Sequence, residues 1–354
     1  MKIIEAYALL RKIENPLSDN DIVAAGYIKG VSISHGEVKV VFLFPEEMRD
    51  NHKPVIEKAR QLFQEAGAER VDFQVNFVLP SGQSKKETPN VKAKTPKRKV
   101  QGVKHVVLVT SGKGGVGKST VSANLAVALA QSGHAAGLFD ADVYGPSIPT
   151  LMGIKEAGVT AKDNKIQPIP AYTVKVMSLG LMLEDDSPVI WRGPLVHKAY
   201  EQLLFDTDWG DLDFLILDLP PGTGDAQLSM AQLVEIAGGI VVTTPQALSV
   251  NDVRRAVSML RKVEINPLGL VESMSYYKCP ECGHIEHIFG QGGGEKLARE
   301  MGLALLAQIP LDPDLVAGSD AGIPVVMSKP DSEASKAFFK LAEEVVSRLE
   351  GKSP

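Results

Sequence analysis

The chain has 354 residues, of which 44% are hydrophobic and 23% charged, with a formal net charge of −5. That length suggests about two domains with ordinary cores, and the mild acidity argues against a general nucleic-acid coat. Only two cysteines occur, Cys279 and Cys282, so a secreted disulfide framework is excluded and a reducing compartment is expected.

The first residues, MKIIEAYALLR, break their apolar run at Glu5 and do not resemble a signal peptide. No stretch approaches the ~18 apolar residues of a membrane span. The expectation is a cytoplasmic protein with neither a membrane nor a nucleic acid as partner.

In chain order, residues 1–80 predict a small α+β domain. Apolar residues at helical spacing run over 2–13 and stop before Asn15-Pro16. Segments 27–34 and 37–44 alternate like strands, with His35-Gly36 as the hairpin turn between them. Residues 51–66 read as a second helix stopped by Gly67, and 70–79 as a third strand. The domain has no cysteine and no catalytic cluster, which suits a folded adaptor or recognition module. Residues 81–101 are rich in Ser, Gly and Pro. Here Lys85, Lys86, Lys92, Lys94, Lys97, Arg98 and Lys99 face only Glu87, the composition of a basic flexible linker.

From 102 to 354 strands and helices alternate, which predicts an α/β domain with a mostly parallel sheet. Strands are expected at 105–110, 135–139, 214–217, 239–244, 268–271 and 304–309, and helices at 121–131, 250–262, 294–301 and 332–349. In such sheets ligands bind at the carboxyl ends of the strands, and the polar motifs fall there.

The first motif is Gly112, Lys113, Gly114, Gly115, Val116, Gly117, Lys118, Ser119 and Thr120, which contains the phosphate-binding pattern G-x-x-x-x-G-K-[ST] between a strand and a helix. Successive backbone N–H groups and the helix N-terminus would cradle a phosphate. Lys118 would reach the β- and γ-phosphates, and the Ser119 hydroxyl would hold Mg²⁺. Lys113 is a second lysine that an ordinary loop of this kind does not need.

Acidic residues close two of the apolar strands, at Asp140-Ala141-Asp142 and at Asp218, which opens DLPPGTGD. An Asp in this place supports Mg²⁺ and its waters, or else caps a turn. Asp218 is the expected metal support, and the turn behind it would sense the γ-phosphate through backbone N–H groups. Asp142 is the better candidate to orient an attacking water and Asp140 to contact the Mg²⁺ shell, although spacing alone does not assign the two.

Cys279-Pro-Glu-Cys282-Gly-His284-Ile-Glu-His287 sets two thiolates within reach of one metal. His284 and His287 could complete a mononuclear zinc site. Two thiolates under-fill both a Zn(Cys)₄ site and a [4Fe–4S] cluster, unless two subunits each donate a pair across a two-fold axis. A redox dithiol and a structural half-knuckle remain alternatives.

Taken together the motifs resemble a known class. The sequence Gly112 to Thr120 with its extra Lys113 looks like the deviant Walker A loop of the MinD/ParA/nitrogenase-iron-protein P-loop NTPases. In that class the extra lysine reaches across a dimer to the partner's nucleotide. Residues 140–147 (DADVYGPS), 191–194 (WRGP), 218–225 (DLPPGTGD) and the Cys279/Cys282 pair resemble the Mrp/ApbC-type iron–sulfur cluster carrier ATPases over residues 102–350. Residues 1–80 are similar to the small iron–sulfur assembly domain fused ahead of bacterial members.

The resemblance implies a homodimer that binds and slowly hydrolyses ATP with Mg²⁺. It would bridge a [4Fe–4S] cluster between two Cys279/Cys282 pairs and pass it to apo iron–sulfur client proteins. It gives catalytic roles to Lys113, Lys118 and Asp142, with Asp142 positioning the water. Where the family commonly reads Glu-Asn-Met-Ser, this chain reads Glu272-Ser273-Met274-Ser275. A hydroxyl thus replaces the amide that pairs with adenine, so weaker base selection is expected.

Two other readings compete. One is a partition or positioning ATPase acting on a surface. The candidate surface helix, 332–349, mixes Lys336 and Lys340 with Glu343 and Glu344 on its polar side, which suits packing on the core rather than on a membrane. The other is a zinc-clipped structural dimer.

Overall fold

A computed structural model describes residues 3–17, 21–23, 25–34, 37–49, 51–68, 70–78, 97–142, 145–154, 160–182, 193–222, 225–246 and 249–351. The expected hairpin turn at His35-Gly36, most of the basic run and Trp191-Arg192 lie outside the described residues. The chain divides into two compact units, Met1–Ala93 and Lys94–Pro354.

The first unit contains α1 (Ile3–Leu10), β1 (Ile28–Ser34), β2 (Glu37–Pro45), α2 (Lys53–Glu65) and β3 (Arg70–Val78). Its sheet has the order β1-β2-β3. The first pair is antiparallel and the second parallel. A parallel pair cannot be joined by a tight turn, and α2 makes the crossover. Strand β2 alternates exposed and buried positions. Its buried residues Val38, Val40, Phe42 and Phe44 form one core with Leu10, Ala59 and Phe63 from the helices.

The second unit begins with β4 (Val103–Ser111), α3 (Lys118–Gln131), β5 (Ala136–Asp140) and α4 (Ile148–Leu151). A small hairpin of β6 (Thr160–Lys162) and β7 (Lys165–Gln167) precedes β8 (Ile169–Ala171) and β9 (Val174–Ser178). Then follow α5 (Gly193–Phe205), β10 (Leu212–Asp218), α6 (Asp225–Leu233), β11 (Gly238–Thr243), α7 (Ser249–Lys262) and β12 (Pro267–Glu272). A second hairpin, β13 (Tyr277–Lys278) and β14 (Ile285–Glu286), leads to α8 (Gly293–Met301). The unit closes with β15 (Leu305–Gln308), α9 (Pro313–Ala321), α10 (Val325–Ser328) and α11 (Glu333–Glu350).

Among the described residues the main sheet has the order β15-β12-β11-β4-β10-β5-β9-β8. Its pairs are parallel except β8, which runs against β9. Helices cover both faces, so the central strands are buried on both sides and read as unbroken apolar runs. Val107, Val109, Phe214 and Ile216 point into a core with α3, α10 and α11. Val106, Leu108, Leu215 and Leu217 point into a second core with α5, α6, α7 and α8.

Helix α3 is buried almost all round, as an Ala-rich helix sandwiched between a sheet and another helix must be. Helix α11 is that second helix. Phe338, Leu341, Ala342 and Val345 are buried in the core they share with α3. The Ser332 hydroxyl caps α11 by accepting from Ser335 N–H at 3.1 Å. The apolar side of this amphipathic helix is therefore already covered. No described helix is long and apolar enough to cross a membrane.

Strands β8 and β9 did not stand out in the sequence, because both are short and β8, at the sheet edge, contains Pro170. The end of the basic run also differs from a free tether. Lys97 Nζ donates to Val263 O at 2.9 Å, Arg98 N–H donates to Leu233 O at 3.0 Å, and Val100 is buried. Residues 97–101 thus lie on the second unit rather than in the linker expected over 81–101.

Candidate functional site

The phosphate loop leaves β4 at Ser111 and enters α3 at Lys118. Gly115 and Gly117 both take left-handed backbone angles, at φ 75° and 80°, which a residue with a Cβ adopts only at a cost. Gly112 is held for another reason, since a Cβ there would sit 2.4 Å from the carbonyl carbon of Asp252 at the start of α7. The Ser111 hydroxyl donates to Lys113 O at 2.9 Å and closes the first turn of the loop.

At the end of β10 Asp218 is fully buried, and it is paired in register with Val109 of β4 and Asp140 of β5. Its Oδ2 accepts from Ser119 Oγ at 2.6 Å and meets Lys118 Nζ at 2.6 Å. Its Oδ1 accepts from Ser122 Oγ at 2.6 Å. Lys118 Nζ also donates to Ser119 Oγ at 3.1 Å. Lysine, serine and aspartate from two elements 99 residues apart therefore meet at one point. Ser119 and Asp218 bring hard oxygen donors side by side, the donor type that Mg²⁺ prefers.

Asp140 is placed differently. Its Oδ1 accepts from Asp142 N–H at 3.0 Å. Its Oδ2 accepts from the Ser178 hydroxyl at 3.0 Å and from Ile148 N–H at 3.3 Å. Both oxygens thus brace the ends of β5 and β9. Burial, and then the charge of Asp218, push its carboxyl up to about 7, against the pull of the Asp142 N–H, Ser178 and Lys118. Asp142 is buried, and its Oδ1 accepts from Gly145 N–H at 3.2 Å. The turn after Asp218 lies against the phosphate loop. Gly222 N–H donates to Ser111 O at 2.9 Å, and the buried Gln227 ties down Pro220 O at 2.7 Å.

Lys113 does not join the Lys118–Asp218 cluster. Its Nζ lies 3.4 Å from Gln246 Oε1, beyond the end of β11. Behind the loop, a cavity of about 170 Å³ is lined by Gly117, Thr120, Ser273, Met274, Pro310 and Leu315, among others. Ser273 Oγ would be 3.0 Å from a Cβ on Gly117, so the cavity abuts the phosphate loop directly. Larger grooves of about 590 and 620 Å³ flank the amino end of β4. They are far from the convergent polar groups, which mark the site better than volume does.

The cysteines sit on the tip of the β13–β14 hairpin. Cys279 N–H donates to His284 O, and Gly283 N–H to Cys279 O, both at 2.9 Å. Gly283 takes φ 72° to make the turn. The N–H groups of Cys282 and Glu281 and the Cys282 thiol point at the Cys279 sulfur and lower its pKa. Hydrogen bonds to a sulfur favour its thiolate form, which is the metal-binding form.

The zinc site completed by His284 and His287 is not formed. His284 Nε2 faces Glu286 at 3.3 Å, and His287 Nδ1 faces Ser275 O at 3.3 Å. Among the described residues no group of three or more His, Cys, Asp or Glu side chains gathers to hold a metal. Both cysteines are free thiols.

Comparison with known proteins names the architecture. The family described as ParA, NUBPL iron-transfer P-loop NTPase, matches residues 102–346. The chain belongs to this family. Among similar proteins is an iron-sulfur cluster carrier protein of Aquifex aeolicus, 52% identical over 258 residues that cover 72% of this chain and 71% of the relative. A carrier of the same description from Synechocystis is 38% identical over 347 residues, covering 96% of both chains. The iron-sulfur cluster transfer protein NUBPL of Mus musculus is 47% identical over 257 residues, covering 72% of this chain and 81% of its own. Among solved structures, a nucleotide-binding protein of Archaeoglobus fulgidus in complex with ADP is 37% identical. It has a TM-score of 0.59 and covers 67% of this chain and 92% of its own. MinD of Pyrococcus horikoshii complexed with Mg-ADP is 28% identical, with a TM-score of 0.52, and covers 68% of this chain and 95% of its own. The α/β P-loop NTPase fold expected from the sequence is thereby shown.

Two residues of this NTPase site, Ser122 and Gln246, escaped the sequence reading. Ser122 was readable, since it lies one helical turn after Lys118 and so on the same face. Gln246 carried no local signal, because its partner Lys113 is 133 residues away.

Proposed function

We propose that this chain is an ATP-dependent iron–sulfur cluster carrier acting as a homodimer. The reading rests on one observation above the others. The chain belongs to an iron-transfer NTPase family, yet its cysteine turn supplies two thiolates where a cluster needs four ligands. A second copy related by a two-fold axis supplies the other two. Ile285 and Ile288, 49% and 54% exposed beside the turn, suit burial in such an interface. The names of the Aquifex, Synechocystis and mouse relatives support the same cargo.

The geometry supports the nucleotide half of this reading. Lys118 exchanges its contact with Asp218 for the β- and γ-phosphates of ATP, and backbone N–H groups of the loop cradle them. Ser119 and Asp218 would hold Mg²⁺, which when bound neutralises phosphate charge. Asp142 orients the attacking water, and Lys113, once released from Gln246, reaches the partner subunit's nucleotide. The base occupies the cavity beside Ser273. The first unit serves as a recognition module for client apo-proteins, and the protein works in a reducing compartment.

Anaerobic reconstitution with iron and sulfide tests the reading. It is expected to give about one four-iron cluster per dimer, lost in Cys279→Ala and in Cys282→Ala. Uptake of zinc alone under those conditions overturns it. A membrane-acting ATPase is not favoured, because the apolar side of α11 is buried against α3.

A further inference from the structure

One pair of chain segments forms both a wall of the base cavity and the stem of the cysteine turn. Beyond β12, residues 273–277 run beside residues 309–311, which follow β15. Ile309 N–H donates to Glu272 O at 2.8 Å, Ser275 N–H to Ile309 O at 2.9 Å, and Leu311 N–H to Tyr276 O at 2.7 Å. Tyr277 continues the ladder in a parallel bridge with Leu311. Ser273, Met274, Ile309 and Leu311 line the cavity, and β13 runs directly into Cys279. A shift of the cavity wall is therefore carried to the sulfur through a few hydrogen-bonded peptide units.

Glu272 pins this ladder. The residue is 1% exposed. Its Oε1 accepts from the Ser275 hydroxyl at 2.6 Å and from Gln308 Nε2 at 3.1 Å. Its Oε2 accepts from Gly294 N–H in the first turn of α8 at 2.6 Å. A Cβ on Gly294 would sit 2.5 Å from that oxygen. A buried carboxylate must have its acceptor sites filled. Here the donors come from the segment leading to the cysteines, from the strand leading to the cavity wall, and from the helix that follows the hairpin. One buried carboxylate thus ties the three segments together.

We infer that Glu272 is a positioning residue that couples the base cavity to the Cys279–Cys282 turn, so that nucleotide in the cavity changes the exposure of the two sulfurs. The inference rests on the reading that the base of a nucleotide enters this cavity.

The test uses the full chain, reduced and free of iron. It compares iodoacetamide alkylation rates at the two cysteines with and without saturating MgADP, with ADP affinity measured separately by calorimetry. In the unmodified protein the nucleotide is expected to change at least one rate by about fivefold or more, the low end of ordinary coupling between sites. In Glu272→Gln the amide N–H₂ must face one of the three donors. ADP still binds, and the rate ratio falls to within about twofold of unity. Ser275→Ala removes one donor and should give a reduced ratio, which keeps the test readable if Glu272→Gln does not fold. ADP binding with unchanged alkylation in the unmodified protein overturns the inference, as does an unmodified ratio in a folded variant of either kind. Absence of ADP binding to the unmodified protein overturns the nucleotide reading itself.

Discussion

Lys118 Nζ and Asp218 Oδ2 stand 2.6 Å apart, the lysine side chain 6% exposed and the carboxylate fully buried. The lysine that would bind phosphate is thus held by the carboxylate that would support the metal. Removing one partner of such a pair leaves the other charged and buried.

Lys118→Ala is therefore expected to weaken nucleotide binding on the order of 100-fold or more, the scale of lost charge-assisted hydrogen bonds, and to lower the melting temperature as well. Lys113 lies outside this pair, so Lys113→Ala should bind nucleotide as the parent does and lose hydrolysis. Calorimetry with ADP and a phosphate-release assay separate the two, and equal loss of binding in both variants would speak against a cross-dimer role for Lys113.

Ser122 gives the buried Asp218 its second hydroxyl donor. Ser122→Ala leaves Oδ1 one donor short, at a cost of about 1.5–3 kcal/mol. The variant should melt earlier and need more Mg²⁺ for half-maximal ADP binding, as read by a Mg²⁺ titration. An unchanged titration would mean that Ser122 does not position Asp218.

Asp140 makes stability depend on pH in the nucleotide-free protein. Burial and the neighbouring Asp218 raise it from 3.8 to about 7. The folded state then holds a proton that the unfolded state has already lost. The stability from this group is fully present below about 4 and disappears as pH rises through about 7. Asp140→Asn has no such loss. The melting temperature of the variant minus that of the parent should increase from pH 5 to pH 8, and a flat difference would contradict the shift.

Cys279 should alkylate as a thiolate at lower pH than an ordinary thiol, whose pKa is about 8.5. Its sulfur faces the N–H of Cys282 and of Glu281 as well as the Cys282 thiol. In Cys282→Ala both backbone donors remain. The pH–rate profile of iodoacetamide labelling in that variant should still have its midpoint below the ordinary value. A midpoint at or above it would show that the turn does not point its N–H groups at the sulfur.

Much of the second unit was legible in the sequence. Strand β4, helix α3 and strands β10 to β12 follow from apolar runs and helical spacing, and each lies within a few residues of its expected place. The phosphate loop was legible because its chemistry is local, with consecutive residues cradling one phosphate. Strands β8 and β9 were not, since short strands, β8 with Pro170 among them, depend on neighbours for their pairing. Nor were the hydrogen-bond partners of Asp140. Asp140 and Asp218 both close buried strands in the sequence, and only the partners Ser178 and Ile148, brought in by β9 and α4, show that Asp140 braces the sheet.

By itself the sequence determined the P-loop architecture, the candidate lysines and the presence of a single cysteine pair, because these depend on residue type and short spacing. The tertiary structure alone decided that His284 and His287 bond Glu286 and Ser275 O, that Ser122 joins the cluster on Asp218, and that Glu272 joins the cavity wall to the cysteine stem. The last two are long-range arrangements, set by which strands lie side by side in the sheet. No spacing in the chain records the contact between Ser122 and Asp218, 96 positions apart.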